Sequence, residues 1–458
     1  MNIAYISTDF GVPIFGHKGA SIHVREMVAA FAEAGHSIWV ISPAIEDCDG
    51  GNGNGKKNAG ELSVSPPLHP FSFVPANRPP LSAAVQQRVT FFPALPPRER
   101  HFKLMHELAD LDKFLGVKTR IRQELRNLLY NLTLYEKARD YLLFCNIDFI
   151  YERYTLSSYA GIRLAHELGV PHILEVNAPL VFEQQKMRGL EMKALAQALE
   201  HRIWSESDKV VVVSQRLREL VSSCGVPEAR ISLQPNAVAP KRFTLLHEKG
   251  AEMVRTKYQL EDKCVIGFVG SLKPWHGVET LVEAFGQLRT ENPQARLLIV
   301  GDGPERENLE KYAHAHGLED AIIFTGNIYH EDIPYYIAAM DITVAPYIPN
   351  DNFYYSPIKI FEYMIMGKPV IAARIGQIQE VISEDETGVL FEPGNTEELK
   401  TGLQKLIRDA QLRRALGEKA RDWVRQARTW EQNAQQVIRI ADELLAKRNG
   451  FSEEKKRA

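Results

Sequence analysis

The sequence predicts an α/β protein made of two doubly wound, Rossmann-like domains facing a central cleft, with a C-terminal helical segment. Three observations carry this expectation. The chain has 458 residues, more than one ordinary hydrophobic core accommodates. Short apolar runs alternate with helix-sized segments, the pattern that builds parallel sheets. The alternation also begins twice, at Ile3 and afresh at Cys264, across a polar stretch at 241–262. In such sheets ligands sit outside the carboxyl ends of the strands, so strand-end residues are the place to seek chemistry.

The first domain spans residues 1–238. The run Ile3–Ile6 reads as a strand, a loop from Gly11 to Gly19 follows, and a helix over about 21–34, ended by Gly35, leads to a strand at 38–41. Residues 46–130 form an insertion region. Within it 46–60, with Gly50, Gly51, Gly53 and Gly55, reads as a mobile loop, and 63–98 as Pro-rich irregular chain. One long helix is expected from about Glu99 to Phe144, because Ile121, Leu125, Leu128, Leu132 and Tyr135 recur near a helical period. Strands at 149–151, 172–176, 209–213 and 231–233 then alternate with helices at 156–168, 186–205 and 215–223. Pro235-Asn236-Ala237 and the 241–262 stretch read as the connection between domains. The second domain, 239–427, carries strands at 264–269, 297–300, 322–324, 342–344, 370–372 and 389–391. A helix at 428–447 is expected to pack back on the first domain, ahead of a charged tail at 448–458.

Composition narrows the function classes. A formal net charge of −3 argues against bulk binding to nucleic acid. The four cysteines, Cys48, Cys145, Cys224 and Cys264, are far apart with no Cys-x-x-Cys pair, so neither zinc nor a disulfide framework is indicated, and a reducing cytosol is the simplest home. The chain runs from Met1 directly into a strand, with no signal-peptide pattern. No apolar run approaches the roughly 20 residues that span a bilayer, so any membrane contact would be peripheral. One stripe offers such a contact: Lys118, Arg122 and Arg126, with Arg120 and Lys137 nearby, could meet anionic lipid. A solvated charged face is the competing explanation.

The segment Ser356 to Val370 holds the most chemistry. Ser356 is placed as an N-cap and Pro357 at the first helical position. The helix they open is apolar almost all round, so it should be buried, yet Lys359 and Glu362 share one face of it. They either serve a ligand carrying phosphate and hydroxyls or simply pair with each other. Three glycine-bearing turns follow strands: Gly11–Gly19, Gly270–Gly277 and Gly301-Asp302-Gly303-Pro304-Glu305. Each either lets a phosphate or sugar approach the backbone or is a tight strand-to-helix turn. Arg306 occupies the last glycine position of a dinucleotide fingerprint, which counts against a dehydrogenase. Lys273 and His276 could join Lys359 around one anion; an exposed lysine and a helix-capping histidine are the alternative. In the first domain Glu152 and Arg153 end one strand and Glu175, Val176 and Asn177 another, with His23 on the first helix. No Ser/His/Asp or Cys/His set and no metal-ligand cluster is evident.

Assembled, these residues resemble a family-4-type glycosyltransferase of the GT-B architecture. The resemblance rests on Gly270–Gly277, Gly301–Glu305, Phe324-Thr325-Gly326, Ser356–Val370, Thr387-Gly388, Gly16–Val24, Glu175–Pro179, Pro235-Asn236 and Arg242-Phe243. It implies transfer of a sugar from a nucleoside-diphosphate donor to a glycan, lipid-linked or small-molecule acceptor, with retention of anomeric configuration and without metal or other cofactor. By the resemblance Glu362 holds the nucleotide ribose, Ser356, Pro357 and Ile358 lie at the diphosphate or donor sugar, and Gly270, Ser271, Gly301, Gly303 and Asn327 line the donor side. Lys273, Lys359 and His276 then stabilise the leaving diphosphate, and Gly16, Gly19, His23, Glu152 and Asn177 face the acceptor. Departures from the family pattern are Tyr354 for a glutamate eight positions before Glu362, Ser271 and His276 for the usual arginine and lysine, and Ala237 and Ala239 for a glycine and an aspartate. A nucleotide-sugar epimerase and a non-catalytic sugar-nucleotide-binding subunit are the competing readings.

Overall fold

A computed structural model describes residues 1–45, 82–96, 98–243 and 247–457. The expected mobile loop at 46–60, Cys48 and most of the expected irregular stretch lie outside these residues. The chain divides into two compact units, one built from 1–212, 217–234 and 434–458, the other from 213–216 and 235–433.

Among its described residues the first unit holds seven strands: β1 (Asn2–Ser7), β2 (Ser37–Ser42), β3 (Val89–Pro93), β4 (Phe149–Arg153), β5 (His172–Val176), β6 (Lys209–Val212) and β7 (Ile231–Leu233). They pair in the order β3-β2-β1-β4-β5-β6-β7, all parallel. The strands are near-continuous apolar runs because helices cover both faces, leaving Ile3, Ile6, Ile150, Ile173 and Val211 without exposed surface. The order reverses between β1 and β4, which opens a crevice at their carboxyl ends.

Among its described residues the second unit holds six strands: β8 (Cys264–Val269), β9 (Ala295–Val300), β10 (Ile322–Phe324), β11 (Ile342–Ala345), β12 (Val370–Ala373) and β13 (Val389–Phe391). Their order is β10-β9-β8-β11-β12-β13, again parallel, with the reversal between β8 and β11. Each unit is thus a doubly wound α/β sheet.

Several elements differ from the sequence expectation, each for a local reason. Strand β3 lies in chain read as irregular; its pairing partner β2 supplies the order that its Pro-flanked sequence hides. The single long helix is two, Arg98–Leu115 and Ile121–Leu142, broken where Gly116 takes a left-handed φ of +65°. The expected 186–205 helix is also two, Leu180–Met187 and Lys193–Glu206, parted at Gly189 with φ +82°. The polar 241–262 stretch contains the helix His247–Lys257. The last helix runs Trp430–Arg457, past the tail boundary expected at 448. From Ala434 onward it clusters with the first unit, where Gln436 donates to Ser232 and Arg448 pairs with Asp208 at 2.9 Å. No helix among the described residues is long and apolar enough to cross a membrane.

Candidate active site

In the second unit, three loops converge where the strand order reverses. The chain leaves β8 at Gly270, whose φ is +144° and whose N–H donates to Val300. A Cβ on Gly301 would lie 2.0 Å from the Gly270 carbonyl oxygen, and one on Gly303 2.5 Å from that of Leu272. These glycines are therefore required by loop-on-loop packing, before any ligand is considered. Gly277 does the same across the switch point, its backbone pressed against the carbonyl of Pro346 just after β11. The Gly301 N–H also donates to Gly326, which places exposed Asn327 beside this loop pair. Arg306 fits where a glycine was expected because its guanidinium turns outward to Asp302 and Glu310.

The helix Ile358–Ile365 starts one residue later than expected. Pro357 is the capping position, and the Ser356 hydroxyl instead accepts the Asn236 N–H at 2.8 Å. Asn236 Nδ2 donates to the Ser356 carbonyl at 2.6 Å. Ser356 is thus a tie between the Pro235-Asn236 turn and the helix start rather than an N-cap. Ile358, half-buried, opens the first turn, where amides lack intrahelical partners.

Lys359 and Glu362 form no ion pair with each other. The Lys359 ammonium sits over the rings of Phe268, at 4.1 Å, and Tyr347, at 5.5 Å, close against Gly270, and its buried Nζ has no hydrogen-bond partner. Burial pushes its pKa down to about 7, with the Glu362 charge opposing. Glu362 is buried and held by His330, Oε1 to Nε2 at 2.7 Å; His330 Nδ1 is itself buried without a partner. The sequence offered no signal for His330, a single histidine in the polar run Tyr329-His330-Glu331. Tyr347 was accessible in principle, since it follows β11 at the crevice end.

His276 does not act as the expected cation. Its Nδ1 hydrogen-bonds the Ser271 carbonyl, while burial, with Lys359 and Lys273 nearby, drives its pKa down to about 2. The ring is neutral and shapes the loop by packing against Phe268 and Tyr347. Lys273 lies over Trp275 at 4.8 Å in the same loop.

In the first unit, Arg153 and Glu175 are register partners at the ends of β4 and β5. Buried His23 meets Glu175 at 2.7 Å, and Arg153 approaches its other oxygen at 3.9 Å. Burial pushes the Glu175 carboxyl up, but His23 and Arg153 together hold it at about 2, so it is ionised. His23 is thereby committed to Glu175 rather than presented to an acceptor. Glu152 points to the opposite face of β4, as strand alternation requires. Ser158 donates to one of its oxygens, and His172 meets the other at 2.9 Å. Gly161 packs so close that a Cβ would sit 1.8 Å from that oxygen. Glu152 is therefore a buried structural carboxylate, not an acceptor ligand. Asn177 keeps its candidacy: its Nδ2 is buried and has no partner. Gly16 closes its loop by donating to Pro13, and Arg25 donates to its carbonyl at 2.6 Å. Gly19 begins the helix Gly19–Glu33, where an added Cβ would meet nothing. The basic stripe is split, because Arg126 folds over the Phe10 ring at 4.4 Å while Lys118 and Arg122 stay exposed.

Comparison with known proteins gives a consistent picture. The sequence profile described as "Glycosyl transferases group 1" matches residues 252–423, and that described as "Glycosyltransferase Family 4" matches 17–242. An alpha-D-kanosaminyltransferase of Streptomyces kanamyceticus is 27% identical over 55% of this chain and 65% of its own length. A GDP-mannose-dependent alpha-(1-6)-phosphatidylinositol monomannoside mannosyltransferase of Mycobacterium tuberculosis is 28% identical over 53% of this chain and 64% of its own. The matched chain thus spans just under two thirds of these relatives. Among solved structures, sucrose-phosphate synthase from Thermosynechococcus elongatus superposes with a TM-score of 0.67 at 24% identity, covering 97% of this chain and 99% of that one. HepE of Anabaena, solved with UDP and glucose, gives 0.66 at 18% identity over 96% and 99%. With the two profiles falling in turn on the two Rossmann-like units, the chain belongs to the family-4-type, group 1 glycosyltransferases and has the GT-B fold.

Proposed function

We propose that the protein transfers a sugar from a nucleoside-diphosphate donor to an acceptor hydroxyl, with retention and without a metal. The observation that carries this reading is Lys359, a buried ammonium with no hydrogen-bond partner at the switch point of the second sheet. An unpaired buried cation is costly unless an anion completes it, and the leaving group of such a transfer is a diphosphate. The first-turn amides after Pro357 and Lys273 on the neighbouring loop supply further positive charge for the same anion. Glu362, oriented by His330, serves the ribose hydroxyls. On this reading the departing diphosphate, held by Lys359, takes the acceptor proton on the same face of the sugar. The acceptor enters at the first unit's strand ends, where Asn177 offers an unused donor. Nucleotide-sugar use by relatives supports the donor class: HepE was solved with UDP-glucose, and the mycobacterial relative is named for GDP-mannose. The free thiols of Cys145, Cys224 and Cys264 support a reducing, cytoplasmic setting.

The test is a panel of nucleoside-diphosphate sugars screened by thermal shift, followed by NMR of the product with the donor that stabilises most. An α-linked donor should give an α-linked product, and chelator should leave the rate unchanged. An isomerised donor without acceptor, or an inverted product, would overturn the reading.

A further inference from the structure

The turn that carries Asn177 is pinned at both ends, and both pins involve Tyr154. It runs from the end of β5 at Val176 to the helix Leu180–Met187. At the strand end the Tyr154 N–H donates to the Glu175 carbonyl at 2.8 Å, carrying the β4–β5 ladder one residue past β4. At the helix end the Tyr154 hydroxyl donates to Glu200 Oε2 at 2.9 Å, and the same oxygen accepts the Val181 N–H at 3.3 Å. Val181 lies in the first turn, where amides lack intrahelical partners, and the capping position is Pro179, which offers no side-chain acceptor. Glu200 therefore caps this helix from another one, Lys193–Glu206. Trp204, one turn further along, packs edge-on against Tyr154 with ring centroids 6.0 Å apart and holds the phenol in place.

Glu200 and Glu175 are both buried carboxyls beside this turn, but their surroundings differ. Glu175 meets His23 and Arg153 and is ionised. Glu200 makes no ion pair among the described residues, and burial pushes its pKa up to about 7 against the two hydrogen bonds that favour the charge. The groups facing it from neighbouring elements do not supply the missing cation. Burial keeps Tyr154 protonated, and Glu152 on β4 is engaged with Ser158 and His172. Cys224, just past the helix Gln215–Ser223, stays a thiol because burial raises it, and its Sγ contacts exposed His201. On the capped helix Lys186 is exposed and turned over the Phe182 ring at 5.9 Å, while Glu183 brings only negative charge. On the capping helix Arg202 pairs with Glu206.

The neutral acid fits this clamp. Oε2 takes both hydrogen bonds and Oε1 takes neither, so a proton on Oε1 leaves both intact. Loss of that proton leaves a charge in an apolar surround, and a local opening that lets water reach it relieves the cost.

We infer that Glu200 is a positioning residue: protonated, it clamps the start of the helix Leu180–Met187, and ionised, it lets that start and the adjoining Asn177 turn open to water. Its bearing on transfer rests on the reading that the acceptor enters at Asn177; the clamp itself does not. Because the closed-state pKa lies above the ordinary 4.5, the closed form binds the proton more tightly than a solvated one does. Its advantage is complete below pH 4.5 and falls by up to about tenfold per unit until pH passes 7.

The test is hydrogen exchange of the full chain at pH 5.5 and 7.5, read by mass spectrometry over residues 180–187 and corrected for the intrinsic rate. Protection there should fall roughly twentyfold at the higher pH, with no such change in the helix Thr396–Arg408 of the second unit. Glu200→Gln keeps a carbonyl for both donors and has no proton to lose, so its protection should be high and equal at the two pH values. Glu200→Ala should be poorly protected at both. Tyr154→Phe, which keeps the backbone bond to Glu175, removes one bond that favours the charge. In 13C NMR of glutamate-labelled protein it should move the Glu200 titration above the wild-type midpoint near 7, and Glu200→Gln should delete that signal. Equal wild-type protection at the two pH values, an equal loss in the control helix, or a pH effect that survives in Glu200→Gln overturns the inference. None of these readouts needs an acceptor, whereas Asn177→Ala with undiminished transfer would fault the acceptor reading alone.

Discussion

If Lys359 completes the proposed diphosphate site, nucleotide binding should depend on pH in a way that few other sites would produce. Its pKa falls from 10.5 to about 7 because the ammonium is buried against Phe268 and Tyr347. At 1.36 kcal/mol per unit, that shift corresponds to at most about 5 kcal/mol of destabilisation when the group is charged, less after discounting for the partial exposure of its stem. A folded pKa below the unfolded one means the unfolded chain binds more protons between pH 7 and 10.5. Stability therefore rises with pH across that window, and below pH 7 the full cost is present. A diphosphate reverses the preference by pairing with the charged form, so at pH 8 to 9 the complex must take up a proton. Affinity for a nucleoside diphosphate should fall towards tenfold per unit above pH 7 until the pKa in the complex is reached. The phosphate itself, with a second pKa of about 6, is already ionised there. His276, at about 2, and Tyr347, raised by burial, do not titrate in this range. Calorimetry at pH 8 in two buffers of different ionisation enthalpy reads the uptake directly. Lys359→Met keeps the stem, removes the uptake and should cost at least a hundredfold in affinity while leaving the apo protein as stable or more so. It also removes this residue's share of the stability slope; the share of Lys368, which burial pushes down to about 8 although its ammonium donates to the Ala338 and Met340 carbonyls, remains. A dissociation constant that stays flat from pH 7 to 9, with no proton uptake, would refute the anion-site argument.

Three other outcomes follow from the geometry. His330→Ala removes a hydrogen bond to a buried carboxylate, worth about 1.5–3 kcal/mol, so the donor KM should rise roughly ten- to a hundredfold with kcat little changed. His330→Asn should recover part of it, whereas a role confined to folding would move the melting temperature instead. Glu175, held at about 2 against an ordinary 4.5, contributes stability that is present above pH 4.5 and lost as pH falls towards 2. Glu175→Gln should therefore cost on the order of 3 kcal/mol in urea unfolding at pH 7 and far less near pH 2. Because His276 is neutral, His276→Gln, which can still donate to Ser271, should keep turnover within a few fold; a loss beyond a hundredfold would restore it as a cation.

Strand positions were the most legible part of the chain, because fully covered parallel strands read as unbroken apolar runs. Ile322–Phe324 and Val389–Phe391 could be placed to the residue on that signal. Breaks inside helical stretches were not, since Gly116 and Gly189 look like tolerable helix interruptions until their positive φ is seen. At the site, sequence could put Lys359 and Glu362 on one helix face but could not decide whether they paired. That depended on His330, some thirty residues earlier and without a pattern of its own. For Glu152 the failure is of another kind: a carboxylate at a strand end is a fair ligand candidate, and only the neighbouring strand's His172 reveals that it faces the other way.

The position eight before Glu362 closes the electrostatic argument. Tyr354 is buried, its hydroxyl donates to Tyr355 at 3.2 Å, and its carbonyl accepts from Ser214 at 2.8 Å. It belongs to an aromatic chain that runs from Tyr347 through Phe353 to Tyr355, the same chain whose first ring lies beneath the Lys359 ammonium. A carboxylate at Tyr354 would place a second negative charge on the segment that leads into the lysine's helix. With tyrosine there, the charge acting on Lys359 is that of Glu362, and one Glu362 oxygen is committed to His330. The Lys359 ammonium is thus left without a hydrogen-bond partner, the opening the proposed diphosphate would fill. Restoring the acid by Tyr354→Glu should raise the Lys359 pKa, flatten the pH dependence of nucleotide affinity between pH 7 and 9, and weaken that affinity at pH 7, because the ammonium would then have a partner of its own. A variant that folds yet binds nucleotide more tightly, with the slope unchanged, would separate the two positions and show that the aromatic chain has no part in holding the lysine's charge open.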